Sequence, residues 1–340
     1  LRQAGIDAVL GPEFEADLCA VAAGRGGSPP SPRPPRLEFV VPDRTGLPPL
    51  ERYARLRLPN GARRVAGYTE ASRGCLHLCR HCPVVPVYGG HLRIVPVDVV
   101  LEDIARQVEA GAAHVTFGDP DFLNGPRHAL AVVEGLARRF AGLTYDVTIK
   151  VEHLLEHAAL LPRLRDTGCL FVTSAIESFD DEVLARLEKG HSGADAERAI
   201  SQCEEAGVPL APTFVAFTPW TTLEGYGRFL RTIAKLGVVE RVPPIQLALR
   251  LLIPAGSRLL ELHEVRALAG PFDPQRLVHP WVHPDPAVDA LQRDVEQFVA
   301  SRAGAPRRET FEGVARLVEL YENTSSLQDR TVTTGIAAAP

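Results

Sequence analysis

Three cysteines within eight residues are the part of this sequence best suited to chemistry. Cys75, Cys79 and Cys82 follow the spacing Cys-x3-Cys-x2-Cys. Thiolates are the usual protein ligands of iron–sulfur clusters, which normally take four of them. Three cysteines in one compact loop leave one iron of a [4Fe–4S] cluster without a protein ligand, and an open iron can bind a substrate or cosubstrate. We therefore predict a [4Fe–4S] cluster on this cysteine loop, residues 75–82.

Zinc is the alternative metal for the cysteine loop. The three thiols together with His77 or His81 would offer four ligands of the kinds that zinc takes. Structural zinc sites usually combine two separate pairs of ligands, however, and the sequence has no second pair at a distance. The other cysteines lack a metal-binding spacing and are expected to be small buried apolar residues: Cys19, Cys169 and Cys203.

The segment from Gly74 to Pro83 resembles the cluster-binding signature of the radical S-adenosylmethionine (SAM) superfamily. The resemblance implies that SAM binds the open iron through its amino and carboxylate groups. The family usually has an aromatic residue just before the third cysteine. This chain has His81 there, and the resemblance implies that His81 packs against the adenine of SAM. The phrase Gly118-Asp119-Pro120-Asp121-Phe122 is similar to the branch that carries a cobalamin-binding-like domain ahead of its barrel.

Polar residues follow the second predicted strand, where the resemblance places a segment that holds the amino group of SAM. Gly118 permits close backbone approach, and Asp119 or Asp121 would accept a hydrogen bond. The alternative is a polar turn with helix-capping aspartates. Because the C-terminal ends of strands build the active site of α/β barrels, we predict that these three residues bind SAM.

Two further carboxylates are predicted contacts of SAM. Glu177 ends an apolar strand, and Ile176-Glu177-Ser178 resembles a SAM-contacting pair, with helix capping as the alternative. Lys150 and Glu152 are predicted to share one face of a strand over 145–151. Two charges inside a barrel are unfavourable unless they pair or bind a ligand, so Glu152 is predicted to contact SAM; placement at the rim is the alternative.

From about residue 64, apolar runs alternate with amphipathic stretches, a pattern typical of repeated βα units and a parallel sheet. Strands are predicted near 65–70, 113–118, 145–151, 169–176, 210–217 and 245–252. Gly111, Gly168 and Gly207 are predicted to end the intervening helices in a left-handed conformation. Six repeats are too few for an eight-stranded barrel. We predict an α/β fold: a partial (β/α)6 radical SAM barrel over 64–255, with a C-terminal helical and irregular extension over 256–340.

The N-terminal residues 1–23 are predicted to form a strand over 8–10 and a helix over 13–23. They resemble the last unit of a cobalamin-binding-like domain, and we interpret them as a remnant of it, since the chain begins at Leu1. The alternative is a small capping element that never belonged to such a domain. No Asp-x-His-x2-Gly element that could ligate cobalt is present, so we expect no cobalamin binding. Residues 24–63 are rich in proline and are predicted to be a linker and an irregular approach.

The composition is ordinary for a soluble protein, with 45% hydrophobic residues, 23% charged residues and a formal net charge of −5. No apolar run of membrane-spanning length and no signal peptide are visible. A basic excess that would indicate general nucleic-acid binding is also missing. We therefore expect a cytoplasmic protein without membrane association.

These features predict a radical SAM enzyme that cleaves SAM reductively to a 5′-deoxyadenosyl radical, which then abstracts hydrogen from a substrate. The sequence does not identify the substrate, which is a small molecule or a peptide. The electron is expected from a donor such as flavodoxin or ferredoxin. Two alternatives stay open: transfer of the 3-amino-3-carboxypropyl group of SAM, and a non-catalytic binding module stabilised by metal.

Overall fold

The computed structural model describes residues 6, 8–11, 13–25 and 37–335, with side chains up to residue 323. The chain folds as two compact units. The first comprises Leu1–Ser174, Arg198–Leu210 and Pro274–Arg276, and the second comprises Ala175–Glu197, Ala211–Asp273 and Leu277–Pro340.

Strands and helices alternate along most of the described chain. The strands are β1 (Ala54–Arg57), β2 (Arg63–Thr69), β3 (Ser72–Gly74), β4 (Leu92–Ile94), β5 (His114–Phe117), β6 (Thr144–Thr148), β7 (Cys169–Glu177) and β8 (Leu210–Phe214). The helices are α1 (Glu15–Ala22), α2 (Val85–Tyr88), α3 (Val97–Glu109), α4 (Pro126–Arg139), α5 (Val151–Glu156), α6 (Leu161–Asp166), α7 (Asp181–Arg186), α8 (Gly193–Glu205), α9 (Leu223–Lys235), α10 (His263–Leu268), α11 (Pro286–Ser301) and α12 (Arg307–Gly335). None of the helices described is long and apolar enough to cross a membrane.

Six strands form one sheet in the order β1-β2-β5-β6-β7-β8. Strand β1 runs antiparallel to β2, while β2, β5, β6 and β7 pair in parallel. Strands β3 and β4 form a separate antiparallel hairpin. Parallel neighbours need long crossovers, which the helices between them supply. This arrangement confirms the predicted α/β class and partial barrel.

The strand predicted over 245–252 is wrong. Pro244–Leu247 forms a 3-10 turn, and Arg250 makes an isolated bridge to Phe217. Prolines 243 and 244 cannot donate ladder hydrogen bonds, which explains why the apolar run does not extend as a strand. The sheet instead gains β1, from a segment predicted to be irregular, whose exposed arginines Arg55 and Arg57 are typical of an edge strand.

The N-terminal prediction holds in part. Helix α1 lies within the predicted helix over 13–23, but residues 8–10 are irregular rather than a strand. A strand forms only beside a partner strand, and in the part of the chain described the sheet begins with β1, so residues 8–10 do not join it. Most of the predicted linker, residues 26–36, lies outside the described residues.

Alternation along the strands of the first unit divides the sheet into two faces. Val115 and Phe117 of β5 and Tyr145 and Val147 of β6 are fully buried. The rings of Phe117 and Tyr145 meet edge to face, with centroids 5.7 Å apart. The opposite face of these strands therefore carries the polar residues of the sequence.

The three predicted helix-ending glycines are confirmed. Gly111, Gly168 and Gly207 have φ values of 96°, 105° and 73°, a region that side chains other than glycine disfavour. Each glycine follows a helix and leads into the next strand, so these positions fix where β5, β7 and β8 begin.

The second unit has its own apolar core, built from α7, α10 and the irregular segment after residue 250. The core contains Val183, Leu187, Leu251, Ile253, Leu259, Val265 and Trp281. Arg250 lies over the Trp281 ring at 3.6 Å from its centroid and pairs with Asp289 of α11 at 2.5 Å. This ion pair ties α11 to the core of the second unit.

Candidate functional site

The cysteine loop is held between the two strands of the β3–β4 hairpin. Gly74, the last residue of β3, has a φ of 76°, and a Cβ there would overlap the carbonyl oxygen of His91 and lie 2.8 Å from Cδ1 of Tyr88. Only glycine fits this position. It directs the chain into the loop immediately before Cys75.

Backbone donors face two of the three thiols of the loop. Burial raises the pKa of the Cys75 thiol, and a hydrogen bond from the backbone of His77 opposes this shift. Burial likewise raises the pKa of the Cys82 thiol, against hydrogen bonds from the backbones of Val84 and Val85. The charge of Cys79 raises the pKa of both thiols further, as expected for neighbouring sulfur atoms.

This donor set fits a [4Fe–4S] cluster. Cluster sulfur ligands are thiolates, and hydrogen bonds to them stabilise the negative charge that the cluster carries. All six cysteines are free thiols, so none of the three is consumed in a disulfide. Cys169 and Cys203 are buried as predicted, whereas Cys19 is exposed on α1, which corrects the expectation for that residue.

Asn124 is a residue of this site that the sequence did not indicate. Its Nδ2 donates to the Cys75 sulfur at 3.6 Å, and its Oδ1 accepts from the Leu76 backbone at 3.3 Å. Asn124 lies in the 3-10 turn Phe122–Asn124 that follows β5. The segment Gly118–Phe122 thus contributes to the site by leading into the turn that contacts the cysteine loop.

Asp119 holds the backbone that leads into the cysteine loop. It is 2% exposed, and its two oxygens accept from the Ala71 backbone at 2.9 Å and from Ser72 Oγ at 2.5 Å. Burial raises the pKa of Asp119 to about 6 against these hydrogen bonds. Because both oxygens are occupied by residues that lead into β3, the geometry gives Asp119 a positioning role, and its contact with SAM stays a prediction.

Asp121 is the centre of a polar cluster beside Cys75. It is fully buried, and its Oδ2 lies 2.7 Å from His153 Nδ1 and 3.8 Å from His77 Nε2. The hydrogen bond to Asp121 raises the pKa of His153. Oδ1 accepts from the backbones of Leu123 and Lys150, so the carboxylate also caps the turn after β5, as the capping alternative expected.

Lys150 and Glu152 join the same cluster, although β6 is shorter than predicted. The strand ends at Thr148, and Lys150 is the N-cap of α5, so Glu152 lies in a helix rather than on the face of a strand. Lys150 Nζ contacts Glu152 Oε2 at 2.8 Å and His77 Nδ1 at 3.0 Å. Although burial opposes it, the hydrogen bond from Lys150 lowers the pKa of Glu152.

The protonation of His77 follows from its neighbour. An ammonium group has no lone pair, so His77 Nδ1 accepts from Lys150 and the proton of a neutral ring sits on Nε2. Ligand-type atoms of His77, Asp121 and His153 lie within 4.8 Å of one another. His77 has no free lone pair toward that point, however, which disfavours it as a ligand for zinc.

Gly118 and His81 flank this region. A Cβ on Gly118 would overlap the hydroxyl group of Tyr68, so a side chain at position 118 would require the exposed Tyr68 ring to turn away. His81 is half-buried and directly precedes Cys82. Their predicted contacts with SAM are not tested by these positions.

A cavity of about 900 Å³ opens beside the cysteine loop in the first unit. Its lining includes Arg73, Gly74, Tyr88, Gly118 and the buried Glu13. Arg73 forms ion pairs with Glu15 and Glu70 at its edge. The cavity is large enough for a nucleoside-sized ligand next to Gly118.

Glu177 lies in the second unit at the end of β7. It is 8% exposed, adopts a φ of 69°, and lies 3.5 Å from Lys189 Nζ. A buried carboxylate held in a left-handed backbone conformation is a strained arrangement, and strain of this kind concentrates at ligand sites. Its role in SAM binding stays a prediction.

Residues 69–221 match the family model described as Radical SAM superfamily. This segment of the chain is a radical SAM domain. Members of this superfamily are enzymes that use a [4Fe–4S] cluster and SAM, and the cysteine loop lies inside the matched range.

Two curated relatives of this chain are enzymes by name. The bacteriochlorophyllide d C-12(1)-methyltransferase of Chlorobaculum tepidum is 29% identical over 125 residues, which are 35% of this chain and 26% of the relative. The tRNA-2-methylthio-N(6)-dimethylallyladenosine synthase of Chlorobium phaeovibrioides is 26% identical over 199 residues, 55% of this chain and 40% of the relative. The chain thus spans less than half the length of either relative.

The fold is similar to that of OxsB, a cobalamin-dependent SAM radical enzyme solved with aqua-cobalamin and SAM bound. The TM-score is 0.61 at 15% identity, and the match covers 75% of this chain and 46% of that one. The likeness confirms the partial barrel expected from the sequence.

Proposed function

We propose that this radical SAM chain cleaves SAM reductively and that the product radical abstracts hydrogen from a substrate. The observation that carries the proposal is the cysteine loop, with three neighbouring thiols and backbone donors aimed at the sulfur atoms. When bound, the cluster and SAM would supply the one-electron chemistry that yields methionine and a 5′-deoxyadenosyl radical. The chain itself supplies binding, orientation and exclusion of water.

The residues that would hold the cluster are Cys75, Cys79 and Cys82. Asn124 donates to the Cys75 sulfur, and Asp119 fixes the backbone that leads into the loop. These contacts orient the thiols before any ligand binds, which is what a precise metal centre requires.

Most of the residues proposed to hold SAM lie in the first unit, in the polar cluster and by the cavity, and Glu177 lies in the second unit. The buried carboxylate of Asp121 is suited to accept from the amino group of SAM, because it already carries the negative charge next to Cys75. Gly118 would allow close approach of the backbone, and His81 would pack against adenine. Glu152 and Glu177 are proposed acceptors for the remaining donors of SAM.

The substrate proposed here is a small molecule or a peptide, and the reductant is a one-electron donor such as flavodoxin or ferredoxin. Radical SAM enzymes typically need a reductant. A cytoplasmic location, which would supply such carriers and keep the thiols reduced, is part of the proposal.

Anaerobic reconstitution with iron and sulfide, followed by SAM and dithionite, tests the proposal. Chromatography should show 5′-deoxyadenosine for the wild-type chain. Cys79→Ala should lose both the cluster absorbance and the product, while Cys19→Ala, which changes an exposed cysteine outside the loop, should keep both. A Cys79→Ala chain that still assembles a full cluster and cleaves SAM would overturn the assignment.

The same assay separates the alternatives. Methylthioadenosine in place of 5′-deoxyadenosine would favour transfer of the 3-amino-3-carboxypropyl group. Zinc without iron and sulfide in the purified chain would favour a metal-stabilised binding module. Lys150 Nζ contacts His77 Nδ1, so zinc binding through that nitrogen would have to displace Lys150, while His81 would stay available to zinc.

A further inference from the structure

The side-chain amide of Asn124 is held by the backbone on two sides. Its Oδ1 accepts a hydrogen bond from the Leu76 backbone at 3.3 Å, and its Nδ2 donates to the backbone oxygen of Asp121 at 3.0 Å. Exchanging the two amide atoms would set a donor against a donor and an acceptor against an acceptor. The orientation of the amide is therefore fixed by two partners that do not involve the sulfur of Cys75.

The second hydrogen on Asn124 Nδ2 is left for the sulfur of Cys75. An amide nitrogen carries two hydrogens, and the bond to the Asp121 backbone uses one of them. Nδ2 lies 3.6 Å from the Cys75 sulfur, whereas Oδ1 lies farther from it, at 3.9 Å. Because a thiolate can only accept, the amide presents its donor to the form of Cys75 that binds metal.

Cys75 needs this donor because a negative charge lies near it. Burial raises the pKa of the Cys75 thiol, and the charge of the fully buried Asp121 carboxylate raises it further. Hydrogen bonds from the His77 backbone and from the Asn124 side chain lower it. Asn124 is thus a side chain that offsets the effect of Asp121 at this sulfur.

The Cys82 thiol offers a comparison. It takes hydrogen bonds from the backbones of Val84 and Val85. A backbone donor is present whatever the side chain, whereas the bond from Asn124 to Cys75 depends on the residue type at one position. A substitution at position 124 can therefore change the electrostatics of one sulfur without changing the cysteines.

We propose that Asn124 is a positioning residue that raises the reduction potential of the cluster by donating to the sulfur of Cys75. The proposal rests on the proposed function, in which Cys75, Cys79 and Cys82 hold a [4Fe–4S] cluster. Reduction transfers one electron from the external one-electron donor and so adds one negative charge to the cluster and its thiolates. A hydrogen bond to a ligand sulfur stabilises this more negative state, and such bonds are among the determinants of cluster potential.

Asn124→Leu tests the proposal with a side chain of similar size that cannot donate. The full chain is reconstituted anaerobically with iron and sulfide and titrated with dithionite and redox mediators, and the EPR signal of the reduced cluster is followed. The variant should favour the oxidised form about tenfold more than the wild-type chain, a potential lower by about 59 mV for one electron. Iron and sulfide per chain should be unchanged.

A matched pair of charge substitutions extends the test. Asn124→Asp keeps an oxygen for the Leu76 backbone but replaces the donor with a negative charge, so it should lower the potential more than Asn124→Leu does. Asn60→Asp makes the same change in an exposed turn, where Oδ1 accepts from the Ala62 backbone. Since salt and solvent screen an exposed charge, Asn60→Asp should leave the potential unchanged.

A measurement on the wild-type chain needs no substitution. The sequence has three asparagines, Asn60, Asn124 and Asn323. With their side-chain amides labelled with nitrogen-15, pulsed EPR of the reduced cluster should detect a nitrogen-15 coupling, because a hydrogen bond carries spin density from the sulfur to the donor nitrogen. The coupling should be kept in Asn60→Asp and lost in Asn124→Leu.

The outcomes separate this role of Asn124 from the proposed function. An unchanged potential in Asn124→Leu, equal shifts in Asn124→Asp and Asn60→Asp, or no nitrogen-15 coupling in the wild-type chain would overturn the role of Asn124 alone. If Asn124→Leu assembles no cluster, the coupling in the wild-type chain decides. The expected shift in a chain that makes no 5′-deoxyadenosine would support the role of Asn124 and refute the proposed SAM cleavage. A wild-type chain without a cluster would refute both.

Discussion

Replacing Gly74 with alanine tests whether the hairpin backbone, rather than the cysteines alone, creates the metal site. Gly74 combines a φ of 76° with two close neighbours, the His91 carbonyl oxygen and the Tyr88 ring. The carbonyl belongs to the backbone and cannot rotate away. The substitution must therefore move the β3–β4 hairpin, and with it Cys75.

The magnitude follows from two separable effects. A left-handed conformation costs an alanine about 1–2 kcal/mol, and overpacking against a rigid neighbour adds about 1–3 kcal/mol. Gly142 provides the matched control, since its φ is 81° and a Cβ there would meet nothing within 4 Å. Gly142→Ala should thus show the first effect alone, about 1–2 kcal/mol, and Gly74→Ala the sum, about 2–5 kcal/mol.

Urea denaturation followed by circular dichroism measures the stability of both variants, and iron per chain after reconstitution measures the site. Gly74→Ala should bind less than half the iron of the wild-type chain, while Gly142→Ala should bind the same amount. Equal losses of stability in the two variants, or full iron binding by Gly74→Ala, would refute the argument that Gly74 sets the geometry of the loop.

Three other outcomes are expected. Burial raises the pKa of Asp119 from 3.8 to about 6, so folding favours its neutral form. Its contribution to stability should be present below pH 3.8 and lost as the pH rises through about 6. The difference between the urea midpoints measured below and above this pH range should therefore shrink in Asp119→Asn. Asp289→Ala leaves Arg250 without its carboxylate and should destabilise the second unit by about 3 kcal/mol, seen as a lower thermal midpoint, without any loss of iron. Lys150→Met should return the lowered pKa of Glu152 toward 4.5, and a carbon-13 NMR titration that shows no rise would contradict the contact between the two side chains.

The [4Fe–4S] cofactor was predictable because its information is local. Three cysteines within eight residues lie close along the chain, so their spacing alone indicates the chemistry, and their role as the cluster ligands stays a prediction. The helix-ending glycines were predictable for a similar reason, since a positive φ after a helix depends on one residue.

The polar cluster around Asp121 was only half predictable. The sequence indicated the polar character of Asp121, Lys150 and Glu152, but not that His77 and His153 would reach them, because these contacts join segments more than 30 residues apart. Asn124 was missed because an amide side chain after a strand carries no signal until its neighbours are known.

Strand predictions failed where packing overrode pattern. The run 145–151 looks continuous, yet Lys150 begins a helix, because its charge is stabilised by Glu152 and its backbone by Asp121. The run 245–252 is apolar enough for a strand, but its preceding prolines prevent pairing. Strand β1 was not predicted because its alternating arginines make the segment look too polar for a strand, although charged residues are common on edge strands.

The tight fit between Tyr68 and Gly118 has an evolutionary consequence. The phenol hydroxyl group occupies the space that a Cβ on residue 118 would need. Among homologous sequences, a side chain at position 118 should therefore be accompanied either by a smaller residue at position 68 or by a Tyr68 ring turned outward, which its exposed position permits.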